Sequence, residues 1–215
     1  SNAVKSMRLS LAFALVCVAL ILFPPAHAQA ADMPPLARKS ASLAVAYDCL
    51  ASIARYSRGA EELLGRARSD GDELLRLRSV DAEGRTGWPY SQEATEKSKK
   101  CGQAGSLDAF SDGTCNPPET PYMLQTGYAV TCLAQLAIIT ADNRYRQAAA
   151  KALSDSWNLG AAPASCKDCF FYWYSYHPND VRRYVRNTNL AMSLGVAWMF
   201  AATGEIAYRD RALAI

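Results

Sequence analysis

One stretch of this sequence is written twice, and that repeat constrains the fold more than any other feature. Residues 126–149 align with residues 189–212 when the second copy is shifted back by 63 positions. The matching pairs are Thr140 and Thr203, Asp142 and Glu205, Tyr145 and Tyr208, Arg146 and Arg209, and Ala149 and Ala212. A fixed-period repeat of this kind is the signature of an array built from one structural unit.

Each copy has the pattern of a helical hairpin. An almost wholly apolar run of about 13 residues is followed by Thr, then Ala or Gly, then Asp or Glu, and a polar segment carrying Tyr and Arg comes next. A helix that is apolar all round is buried, whereas a helix with one apolar stripe lies at the surface. The repeat therefore predicts an inner and an outer helix in each copy, within residues 122–158 and 187–215.

The N-terminal segment has the features of a secretory signal peptide. Residues 1–3 are typical of the remnant of an expression tag and are excluded from the fold. Two basic residues then precede the apolar run 11–23, and small residues follow it in a cleavage pattern. The run is shorter than the roughly 20 residues of a membrane span. We therefore expect residues 4–30 to be a signal peptide and residues 31–215 to be one exported domain, periplasmic or secreted, without a membrane span after cleavage.

Composition excludes several classes of function. Half of the residues are hydrophobic and the formal net charge is only +3, so the chain has neither a basic nucleic-acid footprint nor an acidic tail. After the signal peptide one histidine remains, His177, and there is one Cys-x-x-Cys motif. The sequence therefore predicts no metal and no cofactor, and it leaves the oligomeric state open.

Six cysteines follow the signal peptide, in a compartment where disulfides form. They are Cys49, Cys101, Cys115, Cys132, Cys166 and Cys169. Proximity favours a bridge between Cys101 and Cys115, which would contribute about 3 kcal/mol by closing the loop between them. Cys49 and Cys132 lie in helical stretches and either pair across the core or stay as buried thiols.

Cys166 and Cys169 are close enough to form a tight local bridge. A redox site is the sharper interpretation of their spacing, but it requires a strand-to-helix context that this part of the sequence lacks. A zinc site requires more ligands than the neighbourhood supplies. We therefore predict that Cys166 and Cys169 form a structural disulfide.

The first half of the chain changes character near residue 81. Residues 36–68 have apolar residues at helical spacing and predict one long helix or two, divided at Gly59 or Gly65, and a further short helical piece runs from residue 70 to residue 77. Residues 81–121 are rich in Gly and Pro and lack such spacing, which predicts a long irregular loop segment. That segment is either a functional loop or an insertion held by one disulfide.

Aromatic and polar residues collect ahead of both inner helices. The stretches 118–127 and 166–189 each lead into the N-terminal end of an inner helix, so we expect them on one rim, where helix N-termini attract anions. Aromatic rings there, and those around the proline in residues 85–90, suit stacking on a sugar or packing under a loop. The candidate substrate-binding residues are Trp88, Tyr90, Tyr122, Trp173, Tyr174 and Arg183.

These motifs resemble the (α/α) toroids of carbohydrate-active proteins. The resemblance rests on the buried helix, the Thr-Gly-Asp/Glu turn, the Tyr-x-x-x-Ala outer helix and the upstream Gly87-Trp88-Pro89-Tyr90, and it covers residues 120–215 best. The family includes polysaccharide lyases, unsaturated glucuronyl hydrolases and glucuronyl epimerases. It implies an all-α fold of antiparallel helical hairpins forming part of an (α/α) toroid. A full toroid of six hairpins needs roughly twice this length, so a fragment or a truncated toroid is implied.

The resemblance also implies a polysaccharide or oligosaccharide partner and β-elimination on a uronic acid. Such a lyase neutralises the carboxylate with an amide, Arg or His, and a Tyr or His removes the C5 proton. The residues of those types that lie close together are Tyr176, His177, Arg186 and Asn187. A hydrolase would use two flanking carboxylates, and no spacing in the sequence makes a pair of them persuasive.

Two other functions remain open. A non-catalytic helical-repeat protein would bind a glycan or an envelope protein through the same rim. A redox protein would act through Cys166 and Cys169. Each candidate catalytic residue also has a structural reading, in which His177 fixes its loop, Arg186 forms an ion pair, and residues 170–176 form a buried strand or a wedge between helices.

Overall fold

The computed structural model describes residues 40–56, 60–90, 119–177 and 184–215, and in these ranges the chain is all-α apart from two short hairpins of strand. Some of the sequence-based predictions fall outside the described residues. They are the signal peptide, Cys101, Cys115, Arg183 and the larger part of the irregular segment 81–121.

The described helices form three helical hairpins. The first is α1 (Ala41–Tyr56) with α2 (Glu61–Leu77), the second is α3 (Met123–Thr140) with α4 (Asn143–Ser156), and the third is α5 (Arg186–Thr203) with α6 (Ile206–Ala214). In every hairpin the second helix begins 20 residues after the first, at 41 and 61, 123 and 143, and 186 and 206. The bounds of α3 and α5 differ by 63 at both ends, which confirms the repeat predicted from the sequence.

The turn within the second and third hairpins is also repeated atom for atom. Thr140 and Thr203 each donate their hydroxyl to the carbonyl four residues earlier, at 2.7 and 2.8 Å. The next residues, Ala141 and Gly204, end their helices in the left-handed region with φ of 56° and 74°. Such a residue closes a helix by donating its N–H to one of the last free carbonyls. The conserved Thr pattern within the chain thus marks a helix end.

The first helix of each hairpin forms an inner row in which α3 is central. α3 packs against α1 and α5, which are its neighbours in the row, and against its own outer helix α4 and the preceding outer helix α2. It is buried along most of its length, whereas α4 buries one face. Among the described residues α3 is the one helix long and apolar enough to cross a membrane, and 67% of it lies inside the protein, as in a core helix.

The closest approach in the inner row lies where α3 crosses α5. A Cβ atom added at Gly127 would lie 2.5 Å from the backbone carbon of Ala191, and one added at Gly195 would lie 2.9 Å from the oxygen of Gly127. Neither position has room for a side chain, because the obstacle is backbone. Glycine at both positions therefore sets the spacing between these two helices.

The outer helices are joined to one another by the repeated tyrosine. Tyr145 of α4 donates its hydroxyl to the carbonyl of Arg68 at 3.3 Å and to Asp72 at 3.1 Å, both on α2. Tyr208, its equivalent on α6, makes an edge contact with Trp157 at the end of α4, with ring centroids 5.8 Å apart. Each outer helix is thus tied to the outer helix before it.

A small antiparallel strand pair follows each of the first two hairpins. After α2, β1 (Ser79–Val80) pairs with β2 (Thr86–Gly87), and Ser79 lies opposite Gly87. After α4, β3 (Gly160–Ala161) pairs with β4 (Phe171–Tyr172), and Gly160 lies opposite Tyr172. The segment that begins at residue 81 is therefore regular at its start, and the aromatic run 170–176 is extended.

The prediction of two helices with a break near Gly59 is confirmed, because α1 ends at Tyr56 and α2 begins at Glu61. The predictions of a break at Gly65 and of a second start at residue 70 were wrong, because α2 continues to Leu77. Gly65 lies on the exposed side of α2 with open space around it, and Gly71 lies inward, where Leu136 and Tyr145 of the next hairpin pack. Glycine in α2 thus serves packing at one site and does not interrupt the helix at either.

Two disulfides are formed in the described ranges. Cys166 and Cys169 are bridged, as the sequence predicts. Cys49 of α1 is bridged to Cys132 of α3, and both are fully buried, which decides between the two alternatives left open for this pair. The second bridge joins two inner helices across the core.

Candidate functional site

Three chain segments meet at the N-terminal ends of the inner helices, and we call residues 86–90, 119–122 and 171–177 together the rim. The N–H of Tyr122 donates to the carbonyl of Trp88 at 2.9 Å, and the N–H of Tyr176 donates to the carbonyl of Pro121 at 3.0 Å. The segments leading into the two inner helices α3 and α5 therefore lie side by side, as the repeat predicts. The rim is a main-chain framework on which side chains are displayed.

The first turn of each inner helix fastens the incoming segment with one polar side chain. Thr126 of α3 accepts a hydrogen bond from the N–H of Trp88 at 3.3 Å. Asn189 of α5, its equivalent in the repeat, accepts from the N–H of Tyr172 at 2.7 Å and donates to the carbonyl of the same residue at 3.2 Å. We call Thr126 and Asn189 the socket residues. Both are buried, and the sequence comparison aligned them without revealing this role.

Three tyrosines of the rim form a stack of ring contacts. The rings of Tyr90 and Tyr122 lie 5.9 Å apart, and the ring of Tyr174 meets Tyr122 edge-on at 5.5 Å. Tyr122 and Tyr174 are 2% and 7% exposed, whereas Tyr90 is half-buried. Tyr90 is therefore the ring that a ligand would meet, and the other two hold it in place. Trp173 is also half-buried, and its backbone N–H donates to the carbonyl of Leu159 at 3.1 Å.

Besides Tyr122 and Tyr174, which are buried, two further predicted site residues lie in the interior. Trp88 is fully buried and its indole N–H donates to the carbonyl of Leu74 at 2.8 Å. Tyr176 is 1% exposed and its hydroxyl donates to the carbonyls of Thr86 and Ala152. Burial raises the pKa of the Tyr176 phenol well above its usual value. A substrate in solution reaches neither side chain in this structure, so both support the rim from beneath.

Among the described residues, the hydroxyl of Tyr176 bonds to the carbonyls of Thr86 and Ala152, and neither belongs to another predicted catalytic residue. His177 is half-buried, and its backbone N–H donates to the hydroxyl of Ser175 at 3.2 Å. Arg186 and Asn187 are exposed in the first turn of α5, where the Asn187 side-chain oxygen accepts from the N–H of Thr188 at 2.9 Å. The hydroxyl of Tyr176 instead points toward α4. Arg183, a predicted substrate-binding residue, lies outside the described residues.

Two buried polar atoms at the helix starts have no hydrogen-bond partner. Within the described ranges such atoms are the side-chain oxygens of Gln125, Thr188 and Tyr172. Gln125 and Thr188 are the third residues of α3 and α5, so the unsatisfied position is repeated, directly before each socket residue. Atoms of this kind are rare inside proteins. At the starts of α3 and α5, beneath the rim, one buried side-chain oxygen in each helix therefore has a hydrogen-bonding position that no described residue fills.

Away from the rim, α1 and α2 enclose a surface cleft of about 310 Å³, which we call the α1–α2 cleft. Its lining residues are Asp48, Ala51, Ser52, Arg55, Arg66, Ser69 and Asp70. Burial, and secondly the carboxylate of Asp48, raise the pKa of Asp70 to about 6. The sequence does not predict this cleft. Its only signal was polar residues at helical spacing on the two helices, which is also the pattern of a solvated face.

The described part of the chain was compared with the requirements of a metal site and with known proteins. There, no group of three or more His, Cys, Asp or Glu side chains is arranged to hold a metal ion. No protein-family model matches the chain, and no curated protein matches its sequence. The resemblance to (α/α) toroids therefore rests on the repeat and its motifs alone.

Proposed function

We propose that this chain is an exported helical-repeat protein, part of an (α/α) toroid in architecture, that binds a polysaccharide or oligosaccharide at the rim. The observation that carries the proposal is the backed tyrosine at the rim, Tyr90 resting on Tyr122 and Tyr174. An aromatic ring held rigidly, with its hydroxyl at the edge, offers an apolar face and a hydrogen-bonding group together. Sugar rings present the matching combination of C–H faces and hydroxyls.

The charge at the start of α5 favours an acidic sugar. Arg186 is exposed in the first turn of this helix, where unpaired N–H groups and the helix dipole also attract anions. Asn187, beside it, adds an amide. A uronic acid, which carries a carboxylate on a sugar ring, is therefore the ligand we propose.

The buried disulfide supports export. Cys49 and Cys132 are joined across the inner row, and such bridges persist in oxidising compartments. This agrees with the signal peptide predicted from the N-terminal sequence.

A binding assay with uronic-acid polysaccharides tests the proposal. We expect the chain to bind at least one of polygalacturonate, alginate and hyaluronan, and Tyr90→Ala and Arg186→Gln each to weaken binding by about tenfold, or about 1.4 kcal/mol. Tyr56→Ala is the matched control, because Tyr56 is also half-buried but lies at the other end of α1. No binding across the panel, or equal losses in Tyr90→Ala and the control, would contradict the proposal.

Elimination chemistry is the second candidate, favoured by the position of His177 at the rim. With Tyr176 buried, the imidazole of His177 is the group left to remove the C5 proton, and Arg186 or Asn187 would neutralise the carboxylate. Because elimination leaves an unsaturated sugar, the reaction raises ultraviolet absorbance. We expect a signal that His177→Ala abolishes.

Tyr176→Phe distinguishes elimination by His177 from elimination by the phenol of Tyr176. If Tyr176 only supports the rim, removing its hydroxyl should lower the free energy of unfolding by about 0.5–1.5 kcal/mol and leave turnover intact. Turnover that survives in His177→Ala would overturn elimination by His177. Binding without any absorbance change would leave the non-catalytic function alone.

A further inference from the structure

The α1–α2 cleft has an acidic end and a basic end. The two helices are joined by a short connection and run antiparallel, with the hydroxyl of Tyr56 donating to Glu61 where they meet. Arg55 lies at that end of α1, and Arg66 extends toward it to contact Glu62 at 2.6 Å. Asp48 and Asp70 lie farther along the two helices, and the carboxylate of Asp48 acts on that of Asp70. Like charges are therefore grouped across the cleft.

Because like charges are grouped, acidic and basic side chains do not face each other across the cleft. Exchanging an acidic and a basic residue on one helix would allow ion pairs between the two helices. In the described part of the chain no ion pair includes Asp48, Asp70 or Arg55, and Arg66 is paired only with Glu62 of its own helix. Partial burial, and secondly the nearby carboxylate of Asp48, disfavour ionisation of Asp70. A helix pair selected for stability alone would gain from alternating these charges.

We propose that the α1–α2 cleft binds a small zwitterion, whose ammonium group contacts Asp48 and Asp70 and whose carboxylate contacts Arg55. Asp48 and Arg55 are separated by seven residues of helix, or about 10 Å along the axis, and Arg66 and Asp70 by about 6 Å. A peptide of two or three residues with free termini spans such distances. Ser52 and Ser69, which also line the cleft, supply hydroxyls for the amides between the charges.

The size of the cleft agrees with a ligand of this class. Its volume of about 310 Å³ is at the lower end of the range for small-molecule sites. Carboxylates bind an ammonium and a guanidinium binds a carboxylate through charge-assisted hydrogen bonds, which are the stronger kind. The carboxyl of Glu62 competes for the basic end by holding Arg66, so Arg55 is the principal contact there. This site is independent of the function proposed for the rim.

Calorimetric titration with triglycine tests the ends of the cleft separately. We expect triglycine to bind, and both acetyl-triglycine, which lacks the ammonium, and triglycine amide, which lacks the carboxylate, to bind at least tenfold more weakly. 6-Aminohexanoate carries the same two charges without peptide bonds. If it binds as well as triglycine, the charges suffice; if it binds more weakly, the serines recognise the peptide. Equal binding of capped and free peptides, or no binding of either zwitterion at millimolar concentration, would overturn the proposal.

Matched variants locate the site. Asp48→Asn and Arg55→Gln should each weaken triglycine binding by about tenfold. Asp210→Asn and Arg76→Gln change the same residue types at exposed positions away from the cleft and should leave binding unchanged. A loss as large in the controls as in the cleft variants would place the ligand elsewhere. Because the capped peptides use the unaltered chain, the test does not depend on the folding of any variant.

Discussion

The fold raises the pKa of the Asp70 carboxyl group, against the usual trend. Most carboxyl groups in folded proteins are paired or hydrogen-bonded, which lowers their pKa. Asp70 is instead partly desolvated in the α1–α2 cleft and faces Asp48, so its pKa is raised to about 6. The folded protein therefore holds this proton more tightly than the unfolded chain does.

We predict that Asp70→Asn stabilises the protein at pH 7 and not at pH 4. A raised carboxyl pKa adds stability that is fully present below the unfolded value and is lost as the pH rises through about 6. Asn does not ionise, so Asp70→Asn does not lose stability as the pH rises. Since Asp70 is half-exposed, we expect the free energy of unfolding at pH 7 to rise by about 0.5–1 kcal/mol, or a few degrees in Tm. Thermal melts at the two pH values measure it, with Asp210→Asn as control. An equal change at both pH values would show that the charge of Asp70 is not the cause.

Residue roles could be predicted from the sequence only in part. The offset of 63 placed Thr126 opposite Asn189, and both prove to be socket residues. A buried strand over residues 170–176 was one alternative, but the contact that each of its side chains makes could not be predicted, because it depends on which helix the extended segment meets. Tyr174 and Tyr176 are two positions apart and of the same type, yet one supports a ring at the rim and the other bonds to α4.

At the scale of elements, α3 and α5 contact each other through their backbones. Backbone meets backbone there at Gly127 and Ala191, so the two helices cannot separate or approach without loss of packing. α2 contains the opposite case in Gly65, which is exposed and has open space around it. The same residue type thus has opposite energetic consequences in two helices.

We predict that Gly127→Ala and Gly65→Ala change stability in opposite directions. The added methyl at 127 collides with backbone and should cost about 1–3 kcal/mol. At 65 it meets nothing and removes the entropic penalty of glycine in a helix, which should gain about 0.5–1 kcal/mol. Urea unfolding of both variants measures the difference. A destabilised Gly65→Ala, or an unchanged Gly127→Ala, would contradict these assignments.

Helices that carry a repeat could be predicted more closely than helices that do not. The second and third hairpins were located from aligned residues, because the periodicity and the Thr-x-Asp/Glu turn are read from two copies. In the first hairpin the sequence predicts a break at Gly65 and a new start at residue 70, since glycine disfavours helices intrinsically. Packing of Leu136 and Tyr145 against Gly71 overrides that preference, and only the folded structure shows it.

At the scale of the whole molecule, the two disulfides differ in how much chain they constrain. Cys49 and Cys132 are 83 residues apart and join different hairpins, whereas Cys166 and Cys169 are separated by 3 residues within one turn. The entropy removed from an unfolded chain grows with the length of the loop that a bridge closes. The interhelical bridge therefore bears on the stability of the entire inner row.

We predict a larger loss of stability when the Cys49–Cys132 bridge is removed. The chain-entropy model gives about 4.5 kcal/mol for this bridge and about 2 kcal/mol for the Cys166–Cys169 bridge. Replacing each pair with alanine and measuring urea unfolding compares them, and the buried pair should lose further free energy through the small cavities left behind. A greater loss from the Cys166–Cys169 pair would mean that the local turn, and not the inner row, limits stability.

The socket residues have a consequence for how such a protein changes over evolutionary time. Thr126 and Asn189 hold the rim by its main-chain atoms, through the N–H of Trp88 and both the N–H and the carbonyl of Tyr172. Since every residue type except proline provides those atoms, the fastening does not depend on which side chains the rim displays. Substitutions at outward positions such as Tyr90 can accumulate while the framework persists. Duplicated hairpins with sockets of this kind can therefore acquire new ligands without inventing a new fold.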